Sequence, residues 1–581
     1  MLDFSRSRLV PFAHQREDTE WLIAHPYALI ASEMRTGKTK IVIDAAQFMF
    51  EAGTIDTVIV VAPAPVRDVW ADRALGEIAK HLWEGLPATV TEYHARIRTW
   101  LHGGIAARKL DWYVTNFEFI RSKNRLAQLM PVCGPRTLLV LDESSFVKNH
   151  AAQQTKACLQ LRRACGRVVL LNGTPIFHSP MDLFSQGNLL HPSILDCRFI
   201  TYFKARYAIQ EPILAYGGKP LMDPYGKAIQ KIAGWTNLGD LQRRFAPYTV
   251  RRLQKDCLDL PPKLDPVTLT ATLTEATWRA YRDMRDELVV WLRDDRVATG
   301  ATAAVRVMRL AQITSGFIGG IEDACVGAAD DGLLESLDLS RGQPTESVDC
   351  PPDAEGLAPI AADEVRQPIR SALTQEIGRE KLDVLLWFLG QMLEREEHPK
   401  VVAWCRFRAE LERVERDVAK LCTCGHSLDE HEKDNQDVYH KCRHHLCSCQ
   451  TWVKQFRTAL LWGGQKRAER LAALALLKPE TSPDAPVFAG GTFGTGSFGL
   501  DMTAAHTSVA LSSDYSPGKH AQAADRVYGP GQVAPVAYFD VVAVGPRGQK
   551  TIDHAIVAAR RAGEDLAAWT SEAWVRVLED E

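Results

Sequence analysis

Short apolar runs alternate along the chain with stretches whose apolar positions recur at helical spacing. Tyr27 to Ala31 is one such run; a polar loop, Ser32 to Thr39, separates it from Ile41-Val42-Ile43-Asp44-Ala45-Ala46, which reads as a helix. The order is strand, loop, helix. Thr137 to Leu141 is apolar at successive positions, the pattern of a parallel strand covered on both faces. From Leu273 to Asp295 and from Thr302 to Gln312 the period is helical again. A second α/β unit begins near Glu376, where Leu382, Leu386, Leu389 and Leu393 line one helix face ahead of the strand Val401-Val402-Ala403-Trp404. Residues 321 to 370 break the pattern, being acidic, rich in Pro, Gly and Ala and nearly free of aromatics. They predict a solvated surface insertion, with an autoinhibitory role for its negative charge as the alternative.

With 581 residues the chain is long enough for two or more cores. Its 46% hydrophobic and 24% charged residues are those of a soluble globular protein, and no uninterrupted apolar run is long enough to cross a bilayer. An integral membrane protein is therefore not expected. Neither a signal peptide nor a transit signal is visible in Met1-Leu2-Asp3-Phe4-Ser5-Arg6, which predicts a cytoplasmic location. A net charge of −3 leaves any affinity for nucleic acid to a locally positive groove.

The chemistry concentrates at the ends of the apolar runs. In Ser32-Glu33-Met34-Arg35-Thr36-Gly37-Lys38-Thr39, backbone amides around Gly37 at a helix N-terminus can wrap phosphate oxygens. Lys38 adds a charge at the β/γ-phosphates and the Thr39 hydroxyl can bind magnesium. Ser32 stands where the common phosphate-loop pattern has its first glycine. Asp142-Glu143-Ser144-Ser145 closes the second run at a strand's C-terminal end, where α/β sheets bind ligands. Asp142 would hold magnesium and Glu143 would orient or deprotonate an attacking water. The alternative is an acidic turn capping the next helix.

The order of further segments resembles the SWI/SNF-related double-stranded DNA translocases of helicase superfamily 2. Phe12-Ala13-His14-Gln15-Arg16 resembles the adenine-reading segment, with Gln15 as the residue carried over. Val58 to Pro63 with Trp70 resembles the second strand and its DNA-tracking loop, and Val114 to Glu118 the next strand. Arg167 to Ile176, with Gly173 and Thr174, resembles the segment that couples hydrolysis to lobe movement. Lys148-Asn149 after the acidic box sets this family apart from most DEAD-box RNA helicases. Gly234-Trp235, Arg251 to Asp256 and Leu260-Pro261-Pro262-Lys263 resemble the connection toward the second lobe. Gly496 to Ala505, with Gly499 and Thr503, resembles the motif lying against DNA backbone and nucleotide, and Gln522-Ala523-Ala524-Asp525-Arg526 opens the last motif, ending Gly531-Gln532. One departure stands out. Where the family has a second arginine three residues after Arg526, both reaching across the cleft to the γ-phosphate, this chain has Gly529. Another cation substitutes, or the motor is weak.

Between Cys422 and Cys449 lie five of the 13 cysteines and five histidines, a density that points to zinc. Its spacing resembles a small module of bacterial and phage proteins rather than a double CxxC ribbon. Four ligands would close a structural site; the leading set is Cys422 or Cys424 with His431, Cys442 and Cys447, and Cys449 is a further candidate. Trp452 and Phe456 would stack on bases or pack beneath the module.

These readings predict an α/β protein of two RecA-like parallel-sheet lobes with a helical protrusion. The expected division is a first lobe at 1–215, connection, protrusion and acidic insertion at 216–375, a second lobe at 376–570 with the zinc module at 420–453, and a tail at 571–581. The resemblance implies an ATPase using ATP and magnesium to move along duplex DNA in a bacterial cell or phage-infected host, with a protein partner possible at the zinc module. A strand-separating DNA or RNA helicase and a nucleotide-gated DNA clamp are the alternatives.

Overall fold

Buried parallel strands organise both halves of the computed structural model, which describes residues 2–74, 76–104, 106–173, 180–197, 199–213, 219–220, 222, 226–294, 300–319, 375–421, 431–433, 439–442, 455–463, 465, 467–496 and 501–563. The chain divides into two compact units, Met1–Leu260 and Pro261–Glu581.

The first unit is built on β1 (Tyr27–Ile30), β2 (Thr57–Ala62), β3 (Ala88–Glu92), β4 (Arg98–His102), β5 (Leu110–Asn116), β6 (Thr137–Leu141), β7 (Arg167–Leu171), a hairpin of β8 (Ala208–Pro212) and β9 (Gln230–Trp235), and β10 (Thr249–Val250). Eight of these form one sheet in the order β10-β1-β7-β6-β2-β5-β3-β4, parallel except where β4 runs against β3. Every residue of β6 is buried, as expected of a strand with helices on both faces. Helices α1 (Ala13–Ala24), α2 (Lys38–Glu51) and α3 (Ala64–Ala71) precede β1, follow β1 and follow β2.

The first lobe runs further than the expected boundary at 215. Leu241 and Phe245 of the helix Leu238–Phe245 enter its core, and β10 pairs with β1 as an edge strand. At two residues, β10 is too short to register as a strand by pattern; it is held because Ala31 N–H and Glu33 N–H continue the ladder to the carbonyls of Val250 and Arg252.

The second unit carries β11 (Val267–Thr272), a pair β12 (Phe317–Ile318) and β13 (Gln375–Glu376), β14 (Lys400–Cys405), a pair β15 (His431–Lys433) and β16 (Tyr439–Cys442), β17 (Arg457–Leu461), β18 (Val487–Thr492), β19 (Thr507–Ala510) and β20 (Ala537–Val544). Six form an all-parallel sheet in the order β11-β20-β19-β14-β18-β17. The sheet thus recruits β11 from the stretch expected to be connection. The two helical-period stretches form helices Glu275–Asp294 and Gly300–Thr314, which share a core with Ile552, Ile556 and Ala559 of this unit. The helix Glu380–Arg395 buries Leu382, Leu385, Phe388 and Leu389, with Leu386 and Leu393 only partly covered. Phe456 is buried in the same core, so it packs rather than stacks on bases.

Of the zinc candidates, His431 and Cys442 are directly paired across the β15–β16 ladder. Cys422, Cys424, Cys447 and Cys449 lie outside the described residues, as do Trp452 and the acidic stretch 321–370. Among the described residues no group of three or more potential metal ligands occurs, and no helix is long and apolar enough to cross a membrane.

The same helix buries a lysine beside its leucines. Lys381 Nζ lies 2.6 Å from Asp553 Oδ2, and the Asp553 carboxylate also accepts from Thr314 Oγ1 at 3.0 Å and Ala543 N at 2.9 Å. This ion pair joins three helices and β20 inside the second unit, where an unpaired charge costs several kcal/mol. Asp553→Ala is expected to destabilise the second unit by about 3–5 kcal/mol, and Lys381→Met with Asp553→Leu to recover most of that loss. Urea unfolding followed by hydrogen exchange in β20 checks this; a loss under about 1 kcal/mol for the single variant would contradict it.

Candidate nucleotide site

The C-terminal ends of β1, β7 and β6 are neighbours in the first sheet, which gathers three sequence-distant segments at one edge. β1 leads into the loop Ser32–Gly37, β6 into Asp142 and Glu143, and β7 into Asn172 and Gly173.

Gly37 caps α2 with φ +86°, a left-handed conformation that side chains disfavour. There is also no room for one: a Cβ would stand 2.2 Å from Gln15 Nε2. Gln15 is held against the loop by donating to the Thr36 carbonyl at 3.2 Å and accepting from Phe12 N at 3.1 Å, and His14 Nε2 lies 2.8 Å from the same carbonyl. Lys38 Nζ crosses the loop to donate to the carbonyls of Ser32 at 3.0 Å and Glu33 at 3.1 Å. Thr39 follows in the first turn of α2. The loop is thus a curled backbone at the start of a 14-residue helix, with amides at the positive end of its dipole.

Ser32 has a use that the sequence does not reveal. Its Oγ accepts from Arg252 N at 3.1 Å, while Gln254 donates from N to Glu33 Oε2 at 2.7 Å and from Nε2 to the Met34 carbonyl at 2.8 Å. The Arg252 guanidinium reaches Asp18 Oδ1 at 2.6 Å and Glu17 Oε2 at 3.0 Å on α1. Burial pushes the Asp18 carboxyl above its ordinary range although Arg252 opposes the shift, and the hydrogen bond to Asp18 raises the Arg252 guanidinium. Residues 249–254 therefore clamp the phosphate loop to α1. The sequence marked Arg251 to Asp256 only as part of a connection.

At the end of β6, Asp142 is 8% exposed. Its Oδ1 accepts from Glu143 N at 2.9 Å and its Oδ2 from Trp70 Nε1 at 2.7 Å. Glu143 sits at φ +49°, a left-handed backbone rare outside glycine and frequent at functional sites. Gly173 approaches closely: a Cβ there would be 3.0 Å from Met34 Cε and 3.6 Å from Glu143 Oε1. Thr174 lies outside the described residues. Lys38, Thr39, Asp142 and Glu143 thus share the edge that the sequence pattern predicts. Trp70 belongs by sequence to the segment that resembles the second strand and its DNA-tracking loop, and nothing local ties its indole to a carboxylate 72 positions away.

In the second unit, Arg526 is 4% exposed and donates from Nε to the Gly496 carbonyl at 2.8 Å. Thr503 is buried, with Oγ1 donating to Asp501 Oδ1 at 2.9 Å. Gln522 is half-buried in the helix Pro517–Ala524, and Gly499 lies outside the described residues. Lys263 Nζ lies 2.7 Å from Asp525 Oδ1 and 4.4 Å from the centre of the Tyr528 ring, beside Gly529.

Comparison with known proteins gives the family. Residues 14–315 match the model of the SNF2-related domain. The chain is 33% identical over 126 residues to human TATA-binding protein-associated factor 172, a match covering 22% of this chain and 6% of that protein. It is 25% identical over 287 residues to the SWI/SNF-related matrix-associated actin-dependent regulator of chromatin subfamily A-like protein 1 of Xenopus tropicalis, covering 48% of this chain and 27% of the relative. It is also 25% identical over 268 residues to the bovine DNA annealing helicase and endonuclease ZRANB3, covering 45% and 22%. The matched part is thus between 6% and 27% of these relatives' lengths. A SWI2/SNF2 ATPase core from Sulfolobus solfataricus, solved in complex with dsDNA, aligns with 100% of this chain and 96% of its own at 18% identity, with a TM-score of 0.36, too low to bear on the fold. The family model spans more than half of the sequence and takes in the whole phosphate-loop and acidic-box edge, so the chain belongs to the SNF2-related family.

Proposed function

We propose that this chain is an ATP-driven motor that moves along double-stranded DNA. The observation carrying the ATPase part is the convergence of Lys38, Thr39, Asp142 and Glu143 beyond the ends of β1 and β6, with Gly173 just past the end of the strand between them. The residues fit a magnesium nucleotide: the Gly37 curl leaves room only for backbone, and Asp142 is a carboxylate oriented by two donors. Asp142 and the Thr39 hydroxyl would hold magnesium, which when bound offsets charge on the β- and γ-phosphates. Loop amides and Lys38 bind and orient the phosphates, Lys38 exchanging the Ser32 and Glu33 carbonyls for phosphate oxygens. Gln15 reads the base edge. Glu143 would accept the proton of the attacking water as its oxygen bonds to the γ-phosphorus and the bond from that phosphorus to the β–γ bridging oxygen breaks, ADP leaving with the electron pair.

Movement on duplex DNA is supported by family membership and by relatives named for chromatin regulation and DNA annealing. Gly173 and Thr174 would couple hydrolysis to movement, and Gly499 and Thr503 would face the DNA backbone. A nucleotide-gated clamp is the second reading, favoured by Gly529. Lys263 is a cation in place beside the motif and is our candidate substitute for the second arginine.

Glu143→Gln is expected to retain ATP while lowering DNA-stimulated turnover by about a hundredfold or more, whereas Lys38→Ala weakens ATP binding itself. Nucleotide binding and phosphate release measured side by side separate the two; wild-type turnover in Glu143→Gln would remove Glu143 as the base.

We also propose that the Cys422 to Cys449 stretch holds structural zinc, a reading supported by ligand density and by the pairing of His431 with Cys442. Metal analysis of protein purified without added zinc should return about one ion per chain, falling toward zero in Cys442→Ser with Cys447→Ser. A metal-free wild type would refute the zinc site.

A further inference from the structure

The indole of Trp70 is wholly buried on the last turn of α3, and its acceptor is a carboxylate oxygen, Asp142 Oδ2, at 2.7 Å. A buried indole N–H needs an acceptor, and a bond to an ionised group is shorter and stronger than one to a neutral oxygen. This bond fixes which way the carboxylate faces. The other oxygen is set by Glu143 N, and the Asp142 amide is itself held by the Val61 carbonyl of β2 at 2.9 Å. α3 cannot easily turn away, because Trp100 Nε1 donates to the Ala71 carbonyl at its end at 2.9 Å and Arg67 Nε reaches Glu92 at 2.9 Å.

We infer that Trp70 is a positioning residue for the metal site: its N–H holds the Asp142 carboxylate in the orientation that receives magnesium. The inference rests on the magnesium role proposed above for Asp142. It also gives the segment Val58 to Pro63 with Trp70, which resembles the second strand and its DNA-tracking loop, a direct bond to a metal-holding group. Trp70 touches neither nucleotide nor water in this account, so its effect is on metal affinity and not on base recognition.

The test is manganese binding to the ADP complex of the full chain, read by electron paramagnetic resonance, with ADP affinity measured separately without metal. Trp70→Phe keeps an aromatic ring and removes the N–H; we expect manganese affinity to fall about tenfold while metal-free ADP affinity changes by less than about twofold. Trp100→Phe, which loses a bond to the same helix away from the carboxylate, is expected to leave manganese affinity unchanged. In an Asp142→Asn background Trp70→Phe should have no further effect. Benzothienylalanine placed at position 70, with sulfur in place of the N–H, should reproduce the loss without altering packing. Undiminished manganese affinity in Trp70→Phe or the benzothienyl protein, an equal loss in Trp100→Phe, or a parallel loss of metal-free ADP affinity would overturn the inference. Wild-type affinity in Asp142→Asn alone would overturn the magnesium role of Asp142 and the inference with it.

Discussion

A parallel sheet places all its strand C-termini along one edge, and in the first lobe that constraint decides what can become a site. Because β7 lies between β1 and β6, the phosphate loop, the acidic box and Gly173 must meet, although the sequence separates them widely. The edge is also where backbone groups lack ladder partners, so each residue there must find one. Glu143 does so in a left-handed conformation, Gly37 in another, and the Asp142 carboxylate through an indole brought in on α3. β7 brings Gly173 between the phosphate loop and the acidic box, and the direct pairing of β2 with β6 brings the α3 indole to Asp142.

The same edge explains why the lobe reaches Leu260. A phosphate loop has to hold its curl before nucleotide arrives, and the carbonyls of Thr36, Met34, Ser32 and Glu33 are occupied by Gln15, Gln254 and Lys38. Arg252 and Gln254 perform part of this from far along the chain, tied in turn to the buried Asp18 of α1. Shape and charge at the loop therefore depend on the first and last segments of the lobe together.

Much of this was legible in the sequence where one residue type serves one chemistry at fixed local spacing. Gly37-Lys38-Thr39 after an apolar run and Asp142-Glu143 after another are of that kind, as are the helical periods from Leu273 to Asp295 and from Thr302 to Gln312, where helices Glu275–Asp294 and Gly300–Thr314 stand. What escaped was nonlocal. β10 is two residues long, β11 is an exposed edge strand without a clear period, and Trp70 and Arg252 act on partners reached only through the fold. Burial of Lys381 beside leucines could not be foreseen either, since its partner Asp553 comes from the last helix. For Arg526 the structure adds a contact that its sequence position does not announce, the bond from Nε to the Gly496 carbonyl.

Family membership and the assembled edge are what the proposal of ATP hydrolysis rests on; what separates a motor from a clamp is whether hydrolysis displaces something from duplex DNA. Triplex displacement measures this most directly, with a third strand bound to a duplex and its release followed with and without ATP. The account predicts release that requires ATP, is abolished by a nonhydrolysable analogue and is lost in the wild type when the duplex track leading to the triplex is removed. Equal third-strand retention with and without ATP, at saturating duplex, would contradict it.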